Sequence, residues 1–385
     1  MDGVFMSLNE QLVYRSIEDF RAGRVSRGET AANLGVCERT VTRRTRRVRE
    51  RGLAGVKHGN GQRLPHNKSP DQAREFFVER YRTKYANFNY THALELIRLH
   101  EEPRWKVSYW TFRKWCRQAG LGKVKRRRRA KAYMARDRAA NEGLMLQMDG
   151  SPHRWNGKDE WCLLAAIDDA TSNVAAARFV PSETTWGCME LLEEICRSKG
   201  VPWCLLTDCA GWSTGGGKRQ HFSQFVRACE ELGIKVIGTP SAETKGRIER
   251  MNRTFQDRLV PEFELYGIKS MIDGNRYLQQ NFLPEWRAKF TVKPASDTVR
   301  YKPLPVGTDL KDIFCLKHKR LVNRDHTVSW EGKRYRVTPG TFENLWRKEV
   351  IVHEYREGTI NVFYAGTKLS FELMRQPKRV WRMPA

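Results

Sequence analysis

The chain has 385 residues, enough for roughly two to four domains, and its 40% hydrophobic content suffices for ordinary packed cores. Its 70 Lys and Arg against 44 Asp and Glu leave a formal net charge of +26, a field that attracts polyanions and points to nucleic acid, where counterion release supplies much of the affinity. No apolar run suits a membrane span, residues 1–13 lack a secretory leader pattern, and nine scattered cysteines without a CxxC pair argue for reduced thiols in a cytosol and against structural zinc.

The first expected domain is 1–57. Residues 8–22 carry apolar side chains at Leu12, Val13, Ile17 and Phe20, the period of a helix. A short helix with Ala31, Ala32 and Leu34, a turn at Gly35 and a second helix rich in Arg and Thr follow, which is the helix-turn-helix pattern. The polar face of that second helix, with Arg39, Thr40, Thr42, Arg43 and Arg44, is placed to reach a DNA major groove. The other reading is a plain helical hairpin with a solvated basic face; the net charge favours DNA. Residues 58–69, with Gly59-Asn60-Gly61 and Arg63, read as a linker.

Residues 70–122 read as a second helix-turn-helix domain, winged-helix-like. A helix runs from Pro70 to about Tyr85, a stripe of Ala93, Leu94, Leu96, Ile97 and Leu99 marks the next, and Ser108 caps a third that Gly120 ends. Helical spacing predicts Trp110 and Trp115 in the core rather than as base-stacking groups. Residues 123–140 are a basic linker, read either as solvated or as an arm along the phosphate backbone.

From Leu144 the period changes. A short strand ends at Asp149-Gly150, a nearly continuous apolar strand spans 161–167, a turn holds Asp168 and Asp169, and a third strand spans 174–180. A helix over 184–198, a strand over 202–207 delivering Asp208, a helix over 222–232, a strand over 234–237 and a long helix over 242–259 complete a mixed α/β sheet domain at 141–262. Residues 263–297 read as a helical connector. Over 298–385 the pattern is all-β, with two-residue turns at Glu331-Gly332, Glu357-Gly358 and Ala365-Gly366, predicting hairpins and a small barrel.

The chemistry is expected at three acids. Asp149 ends the first strand, Asp208 ends a later one, and Glu249 lies on the first turns of the last helix, at separations of 59 and 41 residues (208 − 149 and 249 − 208). If the first and fourth strands are neighbours, the carboxylates converge and repel unless cations share the site. Hard oxygen ligands suit Mg²⁺, with Mn²⁺ able to substitute, and two ions about 4 Å apart serve in-line phosphoryl transfer. The bland readings are turn capping by the aspartates and a surface pair of Glu249 with Arg253. On the same helix Glu249, Asn252, Arg253 and Gln256 share a face, and Lys245 and Arg247 near its start are expected to hold phosphates. Asp168 and Asp169 read as structural, and His153 as structural or DNA-contacting.

Gln147-Met148-Asp149-Gly150-Ser151-Pro152-His153, Ile167-Asp168-Asp169-Ala170-Thr171, Pro181-Ser182-Glu183-Thr184-Thr185 and Lys245-Gly246-Arg247-Ile248-Glu249-Arg250 resemble bacterial insertion-sequence DDE transposases of the ISNCY-like group, with a retroviral-integrase-type core. Asn252, Thr254 and Gln256-Asp257-Arg258-Leu259 continue the resemblance, which covers nearly the whole chain. It implies an RNase H-like core and a DDE triad at Asp149, Asp208 and Glu249. It also implies Mg²⁺, binding of double-stranded DNA at terminal repeats and target, end cleavage, strand transfer, homo-oligomeric assembly on DNA and a bacterial cytoplasmic, nucleoid-associated location. The family usually carries a basic residue where this chain has Cys209, and the Gly-rich 211–217 that follows reads as a loop ordering on DNA or as an eroded segment. The competing readings are a catalytically inactive or domesticated sequence-specific DNA-binding protein and an RNase H-like nuclease. The acidic triad speaks against the first and the tandem helix-turn-helix units against the second.

Overall fold

The structure, a computed structural model, describes residues 6–57, 68–122, 136–208, 224–238, 242–342 and 344–374. Most of the expected linker 58–69 with Arg63, most of the basic linker 123–140, and Cys209 with the Gly-rich 211–217 lie outside the described residues. The chain divides into two compact units, 1–76 and 77–385.

The first unit holds α1 (Leu8–Arg21), α2 (Arg27–Asn33) and α3 (Glu38–Arg51). Ser7 with Glu10 and Ser26 with Glu29 form reciprocal capping boxes that satisfy the first-turn amides of α1 and α2. Gly35, with φ +58°, makes the turn between α2 and α3 in a conformation that a Cβ would strain. Ile17, Ala31, Val41 and Val48 form the small core. The helices are those the apolar period predicts.

In the second unit, α4 (Asp71–Thr83) begins before the boundary, and α5 (Tyr90–His100) and α6 (Tyr109–Gln118) follow. Tyr81, Leu94, Ile97, Phe112 and Cys116 are buried. The winged-helix likeness expected over 70–122 finds helices and no strand among the described residues. Trp110, expected in the core, is instead 69% exposed, because the helix turns Phe112 and Cys116 inward.

The sheet comprises β1 (Met145–His153), β2 (Trp161–Asp168), β3 (Val174–Val180), β4 (Cys204–Thr207) and β5 (Lys235–Gly238), in the order β3-β2-β1-β4-β5. The first three are antiparallel; β4 and β5 run parallel to β1. This is the expected mixed sheet with β1 and β4 as neighbours. Helices α7 (Thr185–Ser198) and α8 (Gln224–Glu231) cover one face through Leu191, Leu192, Ile195 and Phe225 against Leu146, Met148 and Leu164. The other face carries α9 (Gly246–Leu265), α10 (Met271–Tyr277) and α11 (Leu283–Phe290), with Ile248, Met251, Phe255, Leu259 and Trp286 on Leu163, Ala165 and Ile167. Layers on both sides bury every residue of β2, which is why it reads as an unbroken apolar run. No helix among the described residues is long and apolar enough to cross a membrane.

Two boundaries differ from the sequence reading. β1 continues past Asp149 to His153, because Asp149 through His153 keep pairing with Ala165 through Trp161 on β2. The last helix starts four residues later than expected, after a single 3₁₀ turn over Ala242–Lys245, and extends to Leu265.

The C-terminal strands β6 (Leu316–Leu321), β7 (Thr327–Trp330), β8 (Lys333–Thr338), β9 (Glu349–Glu354), β10 (Ile360–Tyr364) and β11 (Thr367–Leu373) form one antiparallel sheet, ordered β6-β9-β10-β11-β8-β7. β7 to β11 share a core that includes Val328, Val337, Val350, Val352, Val362 and Leu369, with Val322 from the loop after β6. Glu331-Gly332 and Ala365-Gly366, with positive φ at both residues, are the expected two-residue turns. The Glu357-Gly358 connection is longer, closed by the Tyr355 amide donating to the Thr359 carbonyl at 2.9 Å.

Candidate active site

β1 alternates two kinds of side chain. Leu146 and Met148 enter the apolar layer under α7. Gln147, Asp149 and Ser151 face the other way, toward the start of α9. Each meets a polar group of that helix or of the turn before it. Gln147 Oε1 accepts from the Ile248 amide at 3.1 Å, Asp149 Oδ1 accepts from Lys245 Nζ at 2.8 Å, Asp149 Oδ2 accepts from Asn252 Nδ2 at 3.2 Å, and Ser151 Oγ accepts from Gln256 Nε2 at 3.1 Å. Four bonds thereby fix the strand to the helix and the turn before it, from Lys245 through Gln256.

Asp208 follows β4, which pairs with β1 through Gln147 and Leu206, so the two aspartates come together across neighbouring strands. Their meeting point is Lys245, whose Nζ lies 2.8 Å from Asp149 and 3.6 Å from Asp208. Asp149 is 17% exposed and Asp208 42%. Burial pushes the Asp149 carboxyl above its ordinary value against the opposing bond and charge of Lys245, and the charge of Asp208 adds to the rise. Burial alone would depress the Lys245 ammonium; the bond and charge of Asp149, with Asp208 and Glu249 adding, hold it above its usual range. Glu249 stands one helical turn from Lys245 and acts on it through space. Among the described residues no three acidic, histidine or cysteine side chains are drawn together tightly enough to hold a metal ion. The donor chemistry nevertheless fits a hard divalent cation: two carboxylates already share one positive charge at a partly open position, with a third a turn away.

Beneath this lies a second acidic centre. Asp169 is fully buried and accepts from Gln147 Nε2 at 2.6 Å, from Arg247 at 2.9 Å, from the Ala139 amide at 2.7 Å, and from Arg136. Asp168 accepts from the Thr171 amide and hydroxyl and from the Gly143 amide, each at 2.8 Å. Both aspartates have the structural role read from the sequence. Arg247, expected beside the phosphates, is taken up by Asp169 instead, because positions 245 and 247 leave the helix start on different sides. Lys245 lies on the acids themselves. Asn252 is on Asp149, while Arg253 is exposed and lines an open groove with Thr254, Gln256 and Asp257. His153 is half-buried with its ring edge-on to Trp155 at 5.4 Å, and burial lowers its pKa.

In the first unit, Arg39, Thr40, Thr42 and Arg43 line one cleft with Arg27 and Arg46, and Arg44 falls outside it. The described cysteines carry free thiols. Gln147 was the residue missing from the sequence-derived site. Its signal was the polar alternation of 147, 149 and 151 against apolar 146 and 148.

No family model matches the sequence. The catalytic core of an HTLV-2 integrase, solved in complex with magnesium, aligns at 16% identity over 37% of this chain and 87% of that one, with a TM-score of 0.30, too distant to carry an argument. Whole-sequence relatives are closer. The transposase of insertion sequence IS1202 from Streptococcus pneumoniae is 27% identical over 85% of this chain and 78% of its own length. A Sinorhizobium fredii protein named "Putative transposase y4bF" is 33% identical over 93% of this chain and 79% of its own length. A match of that depth across most of both proteins places this chain in the family of bacterial insertion-sequence transposases.

Proposed function

We propose that Asp149, Asp208 and Glu249 are the acidic triad of an RNase H-like transposase that cleaves the ends of an insertion sequence and joins them to target DNA. The observation that carries this is the meeting of Asp149 and Asp208, 59 residues apart in sequence, on one buried ammonium beside Glu249. Mg²⁺ held by these acids, with Mn²⁺ able to substitute, would supply Lewis acidity to the attacked phosphate and lower the pKa of the attacking water or 3′-hydroxyl. The chain's own groups do the rest. Asn252 orients the Asp149 carboxylate, and Gln147 fixes the start of α9, hence Glu249, to β1. Lys245 neutralises the aspartates and meets a phosphate approaching them, while exposed Arg253 contacts the backbone further along.

In this reading α2 and α3 are a helix-turn-helix, and the cleft lined by Arg39, Thr40, Thr42 and Arg43 takes double-stranded DNA, with Arg44 outside it. The core shared by β7 to β11, with β6 paired to β9 at the edge, supports a small barrel module. The protein works as a homo-oligomer on DNA in the bacterial cytoplasm. The net charge of +26 makes phosphate contacts the main source of affinity.

The test is strand transfer by the Asp149→Asn variant with Mg²⁺ and DNA ends from the flanks of the encoding gene. Joined products are expected to vanish while DNA affinity stays near that of the wild type. Undiminished joining would rule the triad out.

A further inference from the structure

The connection between β3 and α7 carries an acid that the triad does not use. Val180, the last residue of β3, pairs with Cys162, and Thr184 caps α7 by accepting from the Gly187 amide at 3.1 Å. Glu183 lies between these two fixed points and is half-buried. Gly187 lets the first turn of α7 come close to the sheet, since a Cβ there would stand 2.9 Å from Leu164 Cδ1. The Glu183 carboxylate is thereby seated on β1 at Gly150, the residue after Asp149. A Cβ at Gly150 would meet Glu183 Oε2 at 2.5 Å and Oε1 at 3.0 Å. Because side chains alternate along a strand, Glu183 stands on the face of β1 opposite the Asp149 carboxylate. Two buried thiols register both sets of acids. Burial pushes the Cys162 thiol up to about 12, with the charges of Glu183 and then Asp149 adding. Burial likewise raises Cys188, with Glu183 and Asp208 among the charges that add.

We infer that Glu183 is a fourth acid of the active site, a positioning residue that binds no cation itself but holds a negative charge behind Asp149 and so strengthens cation binding at the triad. The inference rests on the triad reading and adds a residue to it. Geometry separates the two roles. The Asp149 oxygens take Lys245 and Asn252 on the near face of β1, and a carboxylate on the far face shares no ligand sphere with them. A charge acting through a dry strand is weakly screened, so it still weighs on a cation held by Asp149 and Asp208. The same arrangement accounts for Gly150. Its φ lies outside the left-handed region, so backbone conformation does not demand a glycine there. The close approach of Glu183 does, because any side chain at 150 would push the carboxylate off the strand. An acid that merely decorates the start of α7 would leave the bare residue without a cause.

The experiment measures the Mn²⁺ affinity of the full-length chain by paramagnetic resonance, with a duplex from the flanks of the encoding gene present. Glu183→Gln keeps the shape and removes the charge. It is expected to weaken Mn²⁺ binding about fivefold, the scale of one charge acting across several ångströms of protein. Its melting temperature in EDTA should stay near that of the wild type, which separates a lost charge from a lost fold. Gly150→Ala is expected to displace the carboxylate and give part of the same loss. In a Glu183→Gln background it should add little, because the two changes act through one carboxylate. Asp149→Asn is the control for the triad, and its uptake should vanish. Wild-type affinity in Glu183→Gln, beside lost uptake in Asp149→Asn, would overturn this inference and leave the triad standing. A loss as complete as that of Asp149→Asn would overturn it too, by making Glu183 a ligand. Full uptake in Asp149→Asn would remove triad and inference together.

Discussion

Gln147 holds two things with one amide. Its nitrogen donates to buried Asp169 and its oxygen accepts from the backbone amide of Ile248, next to Glu249. Gln147→Ala leaves that amide and one lone pair of Asp169 without partners in a dry site. Unsatisfied buried groups cost about 1–3 kcal/mol each, so a clear drop in melting temperature is expected. The strand-transfer rate should fall about tenfold, on the scale of one lost positioning bond, while DNA affinity holds. A rate equal to wild type would mean that Glu249 needs no such anchor. At this scale the sequence was partly readable. Asp208 stood out because it closes β4 in a basic chain; Asp149 was singled out as a strand end although it lies in mid-strand, where the polar alternation along β1 marks the face that meets α9. The roles of Lys245 and Arg247 were not readable, since a 3₁₀ turn running into an α-helix sets a phase that spacing alone does not give. One side chain reaches Asp149 and the other Asp169.

Among the elements, α9 does most to organise the molecule. Its first turns face β1, and its later turns grip α5. Arg258, almost buried, bonds Glu95, which also accepts from Lys289 at 2.9 Å. His92 Nε2 and Glu262 Oε1, with side chains 1% exposed, lie 2.7 Å apart. Burial would raise the Glu95 carboxyl, but the bonds from Arg258 and Lys289 more than offset it and hold its pKa below the ordinary 4.5. A carboxylate depressed in the folded state stabilises fully above its unfolded value and ceases to do so as pH falls through its folded one. Glu95→Gln is therefore expected to cost about 1–2 kcal/mol at neutral pH, the range for charged hydrogen bonds discounted for partial exposure. Denaturant titrations of the two proteins should converge below pH 4.5. A gap that persists there would contradict the account. Sequence periodicity found these helices but not their docking, because long polar side chains pair across 163 residues without any local signature. Trp110 shows the same limit in reverse: its spacing fitted a core, but the helix had only one side to bury.

At the scale of the whole molecule, the legible part was what local pattern and bulk charge encode. That included the change of period near residue 144, the order of strands and helices, the tight turns of the C-terminal sheet, and a field suited to DNA. Less legible was the length of β1, which depends on partners in β2, and β6, whose alternation is masked by Lys317, His318, Lys319 and Arg320. The central claim concerns the three acids as one cation-binding unit, and it is tested most directly by Mn²⁺ uptake, followed by paramagnetic resonance, in the presence of DNA. The account predicts uptake by the wild-type chain and its loss in Asp149→Asn and Glu249→Gln, with DNA still bound. No uptake by the wild type, or equal uptake by the variants, would contradict it.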